Sequence, residues 1–147
     1  MEIKIVNSKL SADDLMPKTL GAAGIDLYAT SVERDTAVFR GDTIKINSGI
    51  RVAIPDNYVG LIVPRSSTGI AGFSLANTVG VIDSDYRGDV MVVIKNTSDL
   101  GSIIVEPMQR IAQLVVVPVY QYRGSLKVVD TLDETARGEG GFGSTGV

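Results

Sequence analysis

The sequence predicts an all-β domain, and three observations carry that prediction. Val and Ile dominate the apolar positions, and both fit a pleated, half-buried surface better than a helix. These residues fall in short runs bounded by turn formers: Arg40-Gly41-Asp42, Pro55-Asp56-Asn57, Arg87-Gly88-Asp89 and Asp99-Leu100-Gly101. No stretch of about a dozen residues keeps the 3.6-residue period of an amphipathic helix. A sandwich, barrel or jelly roll follows.

The elements read in order as strands at Ile3–Val6, Ile25–Ala29, Thr43–Ile46, Ile50–Ile54, Tyr58–Val63, Val79–Ile82, Val90–Ile94, Ile103–Val105 and Ile111–Val119. Ala12–Met16 has the composition for one helical turn, and Ser66–Gly72 for another after the strand-ending Pro64. Val90–Ile94 and Leu114–Val117 are unbroken apolar runs, the mark of strands covered on both faces. A chain of 147 residues fits one domain with room for one such layer. The second cover is therefore expected from another copy, with a closed ring the simplest symmetry. The division expected is a β-rich core over residues 1–136 and a glycine-rich arm over 137–147.

Composition removes whole classes of chemistry. Without cysteine or histidine there are no disulfides, thiolate or imidazole metal sites, or Ser-His-Asp and Cys-His machinery. Acid–base work falls to carboxylates, lysine or tyrosine. A net charge of −3 argues against a nucleic-acid surface, so an anionic ligand must meet a local cluster of arginines. No signal peptide or membrane-spanning run is apparent, and the expected compartment is the cytoplasm, or a host cytoplasm if the source is a virus.

Five segments have the residue types for chemistry. Pro64-Arg65-Ser66-Ser67-Thr68-Gly69 puts a guanidinium and three hydroxyls where a short helix begins, a pattern suited to phosphate oxygens and equally to ordinary helix capping. Residues 77–88 form two apolar arms around a tip holding Asp83, Asp85 and Tyr86. An aspartate is ionised at neutral pH and can accept a proton from water, which raises both Asp83 and Asp85 above an ordinary solvated turn. In Gly21-Ala22-Ala23-Gly24-Ile25-Asp26-Leu27, small residues lead into a strand with one acid facing away from its apolar neighbours. Arg110-Ile111-Ala112-Gln113 opens the long apolar strand, and alone reads as polar residues facing out. The last eleven residues contain five glycines with Arg137, Phe142, Ser144 and Thr145 among them. Gly138-x-x-x-x-Gly143-Ser144-Thr145 imitates a P-loop but has Ser144 in place of its lysine, so the better reading is a lid for a phosphorylated, planar ligand.

In order and spacing these segments resemble the five motifs of the trimeric dUTPases: Ala23–Leu27, Pro64–Ser67, Gly80–Tyr86, Arg110–Leu114 and Arg137–Gly146. The resemblance implies a jelly-roll-like fold of the β-clip type with one short helix, a homotrimer with active sites shared between subunits, and Mg²⁺ as cofactor. It implies hydrolysis of dUTP to dUMP and pyrophosphate, which removes dUTP and supplies the precursor of dTMP. Position by position, it implies that Asp83 activates the attacking water and that Tyr86 packs on the deoxyribose. Asn77 and the hairpin backbone at Gly80 and Ile82 would meet the uracil edge. Arg65, Ser66, Ser67 and Gln113 would contact the phosphates. Arg137, Gly143, Ser144 and Thr145 would clamp them from the arm, with Phe142 over the ring. Asp26 would reach Mg²⁺ through water.

Two places depart from the family pattern. Ser67-Thr68 follows Ser66 where glycine and a bulky apolar residue are usual, and Met108-Gln109 precedes Arg110 where a glycine turn is common. The related dCTP deaminases share the fold, but Val93 stands where their catalytic glutamate would be, and valine cannot shuttle protons. A regulatory protein that switches with nucleotide occupancy is the alternative from another class, and a protein partner of that kind is compatible with this sequence.

Overall fold

The computed structural model describes residues 1–99 and 101–141. Every strand pairing among them is antiparallel. The strands are β1 (Glu2–Ile5), β2 (Gly24–Tyr28), β3 (Thr36–Phe39), β4 (Thr43–Asn47), β5 (Ile50–Ala53), β6 (Tyr58–Val63), β7 (Phe73–Leu75), β8 (Gly80–Ile82), β9 (Met91–Asn96), β10 (Ser102–Val105) and β11 (Arg110–Pro118). They pair as β1-β5, β10-β3, β4-β9-β7 and β2-β11-β6-β8. Two single-turn helices, α1 (Ala12–Leu15) and α2 (Ser66–Ile70), complete the described elements, one more than the resemblance implies.

All nine expected strands are present, with ends displaced by a residue or two. The two not anticipated, β3 and β7, are only four and three residues long. Each exists because a longer neighbour offers it a ladder: β10 pairs with β3, and β9 with β7. Such pairing is tertiary, and local composition does not announce it.

The core lies between the sheets, where Leu27, Ile46, Ile50, Val92, Ile94, Ile111 and Leu114 are almost fully buried. Strand alternation decides which residues enter it. On β9, Val92, Ile94 and Asn96 are buried, whereas Met91 and Val93 are half-covered. On β11, Ala112 and Leu114 face inward and Val115 and Val117 stay half-covered on the other side. The apolar runs therefore keep a second face that one chain only partly covers. From Pro118 to Glu139 every residue is exposed, including Tyr120, Tyr122, Leu126, Val128 and Leu132.

One buried polar side chain ties the sheets together. Asn96, 1% exposed, donates from Nδ2 to the Val38 carbonyl at 2.8 Å, and its Oδ1 accepts from the Ser98 N–H and hydroxyl, each at 2.8 Å. Truncating it takes one donor from the Val38 carbonyl and the acceptor from the Ser98 N–H and hydroxyl, at about 1–3 kcal/mol for a buried group left unsatisfied. Asn96→Ala should therefore lower the unfolding free energy by that amount, seen as a lower denaturant midpoint at an unchanged slope, and an unshifted midpoint would contradict this role.

Candidate active site

Two groups of functional side chains stand on the four-stranded sheet, one at each edge. At the β2 edge, the register sets Gln113 of β11 directly between Asp26 on β2 and Val63 at the end of β6. Pro64 then ends β6, and Arg65 caps α2, its N–H bonded to the Thr68 hydroxyl at 3.0 Å. This turns the Arg65 guanidinium back over the sheet, where Nε donates to Asp26 Oδ1 at 2.8 Å. Arg110 Nη1 donates to Asp26 Oδ2 at 3.3 Å. One largely buried carboxylate, 17% exposed, thus orients two guanidinium groups. The local charge is positive, and a half-buried ion pair of this kind fixes geometry more than it adds stability.

Gln113 completes the group by donating from Nε2 to the Pro64 carbonyl at 3.0 Å. Its amide lies flat across β2 because residue 24 is glycine; a Cβ there would collide with the Gln113 side-chain oxygen. Asp26, Arg65, Ser66, Arg110 and Gln113 line a cleft of about 340 Å³, with Lys18 at its rim. Such a cleft, with several N–H donors converging and one acid to hold them, suits an oligophosphate. Ser67 faces the opposite side of Arg65, with its hydroxyl 3.4 Å from Nη1, and lines a separate cleft with Tyr28 and Met108.

Arg110 is the member that strand reading missed. A regular ladder would turn it away from Gln113, but the pairing of β11 with β2 shifts between Arg110 and Ala112. This bulge re-aims Arg110 onto the face of Asp26. The signal available in the sequence is the residue pair just before it. Met108 adopts φ = 59°, the left-handed conformation that glycine takes without strain, at the pair where the resemblance implies a glycine turn.

The second group sits at the β8 edge. Asn77 and Thr78 turn the chain into β8, and Gly80 packs against Ile62 so closely that a Cβ would sit 3.0 Å from the Ile62 Cβ. Beyond Ile82, the Tyr86 N–H bonds the Asp83 carbonyl at 3.1 Å and closes a tight turn. Asp83 is exposed at the start of that turn and lines a cleft of about 900 Å³ with Tyr58, Tyr120, Tyr122 and Arg123. Tyr86 lies over Gly88 and donates its hydroxyl to the Asp89 carbonyl at 2.9 Å.

The two groups share one face of the sheet without meeting on it. The register aligns Asp26, Gln113 and Val63 in one row, then Val115, Leu61 and Val81 in the next row of that face, with Asp83 two residues past Val81. Asp26 and Asp83 are separated by three strand spacings across and four residues along, about 20 Å at ordinary strand dimensions. Between them runs an apolar stripe, with Val81 62% exposed. Arg137 stands apart from both, exposed, with Nε bonded to the Gly140 carbonyl at 2.9 Å. Phe142, Gly143, Ser144 and Thr145 lie outside the described residues.

The sequence matches the dUTPase family model over residues 11–146. The chain belongs to the dUTPase family. A deoxyuridine 5'-triphosphate nucleotidohydrolase of Escherichia phage T5 is 44% identical and covers 97% of this chain and 99% of its own length. The enzyme of the same description from Thiobacillus denitrificans is 43% identical over 99% of both chains. Among solved structures, the dUTPase of Staphylococcus bacteriophage 80alpha with dUpNHpp aligns with a TM-score of 0.85 at 26% identity, covering 99% and 98% of the two chains. A dUTPase from phage phi11 of S. aureus, described with a structural Mg(II) ion, shares the fold at a TM-score of 0.73 and 21% identity over 88% and 96% of the chains. No helix among the described residues is long and apolar enough to cross a membrane.

In this dUTPase-family chain the hairpin base has its own acid-sensitive fastening. Arg51 first, and then Asn47, hold the Asp89 carboxyl below the ordinary carboxylate range. A carboxyl depressed on folding adds stability that is fully present above its unfolded value, about pH 4, and is lost as pH falls through the folded value. Asp89→Asn should be less stable than the native chain at neutral pH and converge with it in acid. A gap in unfolding free energy that stays constant into acid would contradict the linkage.

Proposed function

We propose that this chain is a dUTP pyrophosphohydrolase whose active site forms between copies arranged in a homotrimer. The carrying observation is the outward face of the β2-β11-β6-β8 sheet, with an Arg–Asp–Gln corner and an Asp–Tyr corner about 20 Å apart across an apolar stripe. One chain cannot offer both corners to one small substrate. Packing that stripe on a neighbour covers it and can bring the first corner of one copy against the second corner of the next. Such head-to-tail contact closes into a ring when the rotation permits. The exposed apolar side chains of residues 119–132 are further surface for the same assembly.

Within that site, Arg65, Ser66 and Gln113 bind the phosphate chain, and Ser67 supports it through Arg65. Arg65 keeps Nη2 free of the Asp26 contact for a phosphate oxygen. The backbone at Gly80 and Ile82, with Asn77, reads the uracil edge, and Tyr86 packs on the deoxyribose. Asp83 accepts a proton from the water whose oxygen attacks the α-phosphorus. The bond from that phosphorus to the bridging oxygen breaks, and pyrophosphate leaves with the electron pair. Residues 1–136 form the core, and 137–147 the arm that brings Arg137, Phe142, Gly143, Ser144 and Thr145 over the substrate and excludes water.

Mg²⁺ is the cofactor this reading requires. Among the described residues no three acidic side chains converge, so a protein cage is absent. Asp26 fits an ion reached through water, since each carboxylate oxygen retains a lone pair beyond those used by Arg65 and Arg110. When bound, Mg²⁺ neutralises charge on the triphosphate. The cytoplasm, where nucleotides are plentiful, is the compartment that suits this activity.

The test is product analysis with dUTP, dCTP, dTTP and UTP in parallel, for the native chain and Asp83→Asn. Selective release of dUMP and pyrophosphate from dUTP is expected. Asp83→Asn should bind dUTP yet lose at least ~100-fold in turnover, at the low end for a lost general base. Near-normal turnover in the variant would remove Asp83 from this role, and conversion of dCTP to a uracil nucleotide would restore deamination.

A further inference from the structure

The Tyr86 ring stands on a turn and is 40% exposed, so packing alone does not fix it. Its hydroxyl is tied to the Asp89 carbonyl at 2.9 Å, and the ring is admitted over the backbone because residue 88 is glycine. Asp89 is itself held from two strands. Its Oδ1 accepts from Arg51 Nε on β5 at 2.6 Å, and its Oδ2 accepts from Asn47 Nδ2 on β4 at 2.8 Å. The next residue continues the attachment: Val90 N–H bonds the Ile50 carbonyl at 2.9 Å, and the Val90 carbonyl accepts from the Ser48 hydroxyl at 2.7 Å. Asn47 is fixed in turn, accepting from the Gly49 N–H at 2.8 Å and donating its N–H to Ser31. A solvent-facing tyrosine is thus indexed to the rigid turn between β4 and β5 by the Asp89 carboxylate together with the Asp89–Val90 peptide.

We propose that Asp89, clamped by Arg51 and Asn47, is a positioning residue that sets discrimination between deoxyribose and ribose through Tyr86. The proposal rests on the reading above that Tyr86 packs on the sugar. Rejecting a sugar by one hydroxyl oxygen needs a ring held to within about 0.5 Å, and an exposed tyrosine on an untethered turn lacks that definition. Asp89 never touches the substrate; it holds the carbonyl that holds the ring.

The measurement is the ratio of kcat/KM for dUTP to that for UTP, in the assembled native protein, Asp89→Ala, Asp89→Asn, Arg51→Gln and Tyr86→Ala. Asp89→Ala should lower the ratio at least ~10-fold, mainly through KM for dUTP and gained turnover of UTP, because positioning errors act on the substrate fit rather than on the water. Asp89→Asn keeps an oxygen for Arg51 and should restore most of the ratio. Arg51→Gln should lower it, and stands in for Asp89→Ala if that variant does not fold. A ratio unchanged in Asp89→Ala and Arg51→Gln, while Tyr86→Ala lowers it, would overturn the clamp alone. A ratio unchanged in Tyr86→Ala would overturn the sugar reading and the clamp with it.

Discussion

The register of β11 against its two neighbours is the constraint on which the rest depends. Antiparallel pairing sets Gln113 between Asp26 and Val63, and from that row every outward residue of the sheet follows in steps of two. A slip of one residue would bury Gln113 and expose Leu114, which is 1% exposed, so the apolar core enforces the register. The same alignment lets Pro64 end β6 where its carbonyl meets the Gln113 amide and Arg65 returns to Asp26. Fold and site are thus fixed by one set of hydrogen bonds.

Charge is managed locally rather than globally. A chain of net charge −3 does not attract a polyanion by its overall field, yet the β2 edge gathers Arg65 and Arg110 around a single acid. The acid costs the cluster one positive charge and in return removes the freedom of two long side chains. Preorganised donors of this kind stabilise charge developing on phosphate oxygens without reorganising during the reaction. The Asp83 edge has the opposite character, with an exposed carboxylate on a turn, pinned at its base by Arg51, Asn47 and Asp89.

Much of this was legible in the chain itself. Val- and Ile-rich runs between Gly, Pro, Asn and Asp breaks gave away nine strands, because side-chain alternation and turn chemistry are local properties. β3 and β7 were not legible, since three or four residues become strands only when β10 and β9 lie beside them. The order of motifs in the sequence points to Asp26, Arg65 and Gln113, and the strand pairing brings them together. Alternation alone leaves Arg110 facing outward, and only the bulge in the structure turns it onto Asp26. The role of Gly24 also required the structure: only there does the Gln113 amide occupy the space of its missing side chain.

Subunit complementation decides whether a working site takes its two corners from different copies. Arg65→Ala and Asp83→Asn would each be purified, shown to be nearly inactive, then co-refolded in equal amounts and assayed with dUTP. If the corners come from neighbouring copies, random assembly leaves about one quarter of the sites with both native halves, and activity rises to about that fraction of the native level. A mixture no more active than the sum of its two components would mean that each chain builds its site alone.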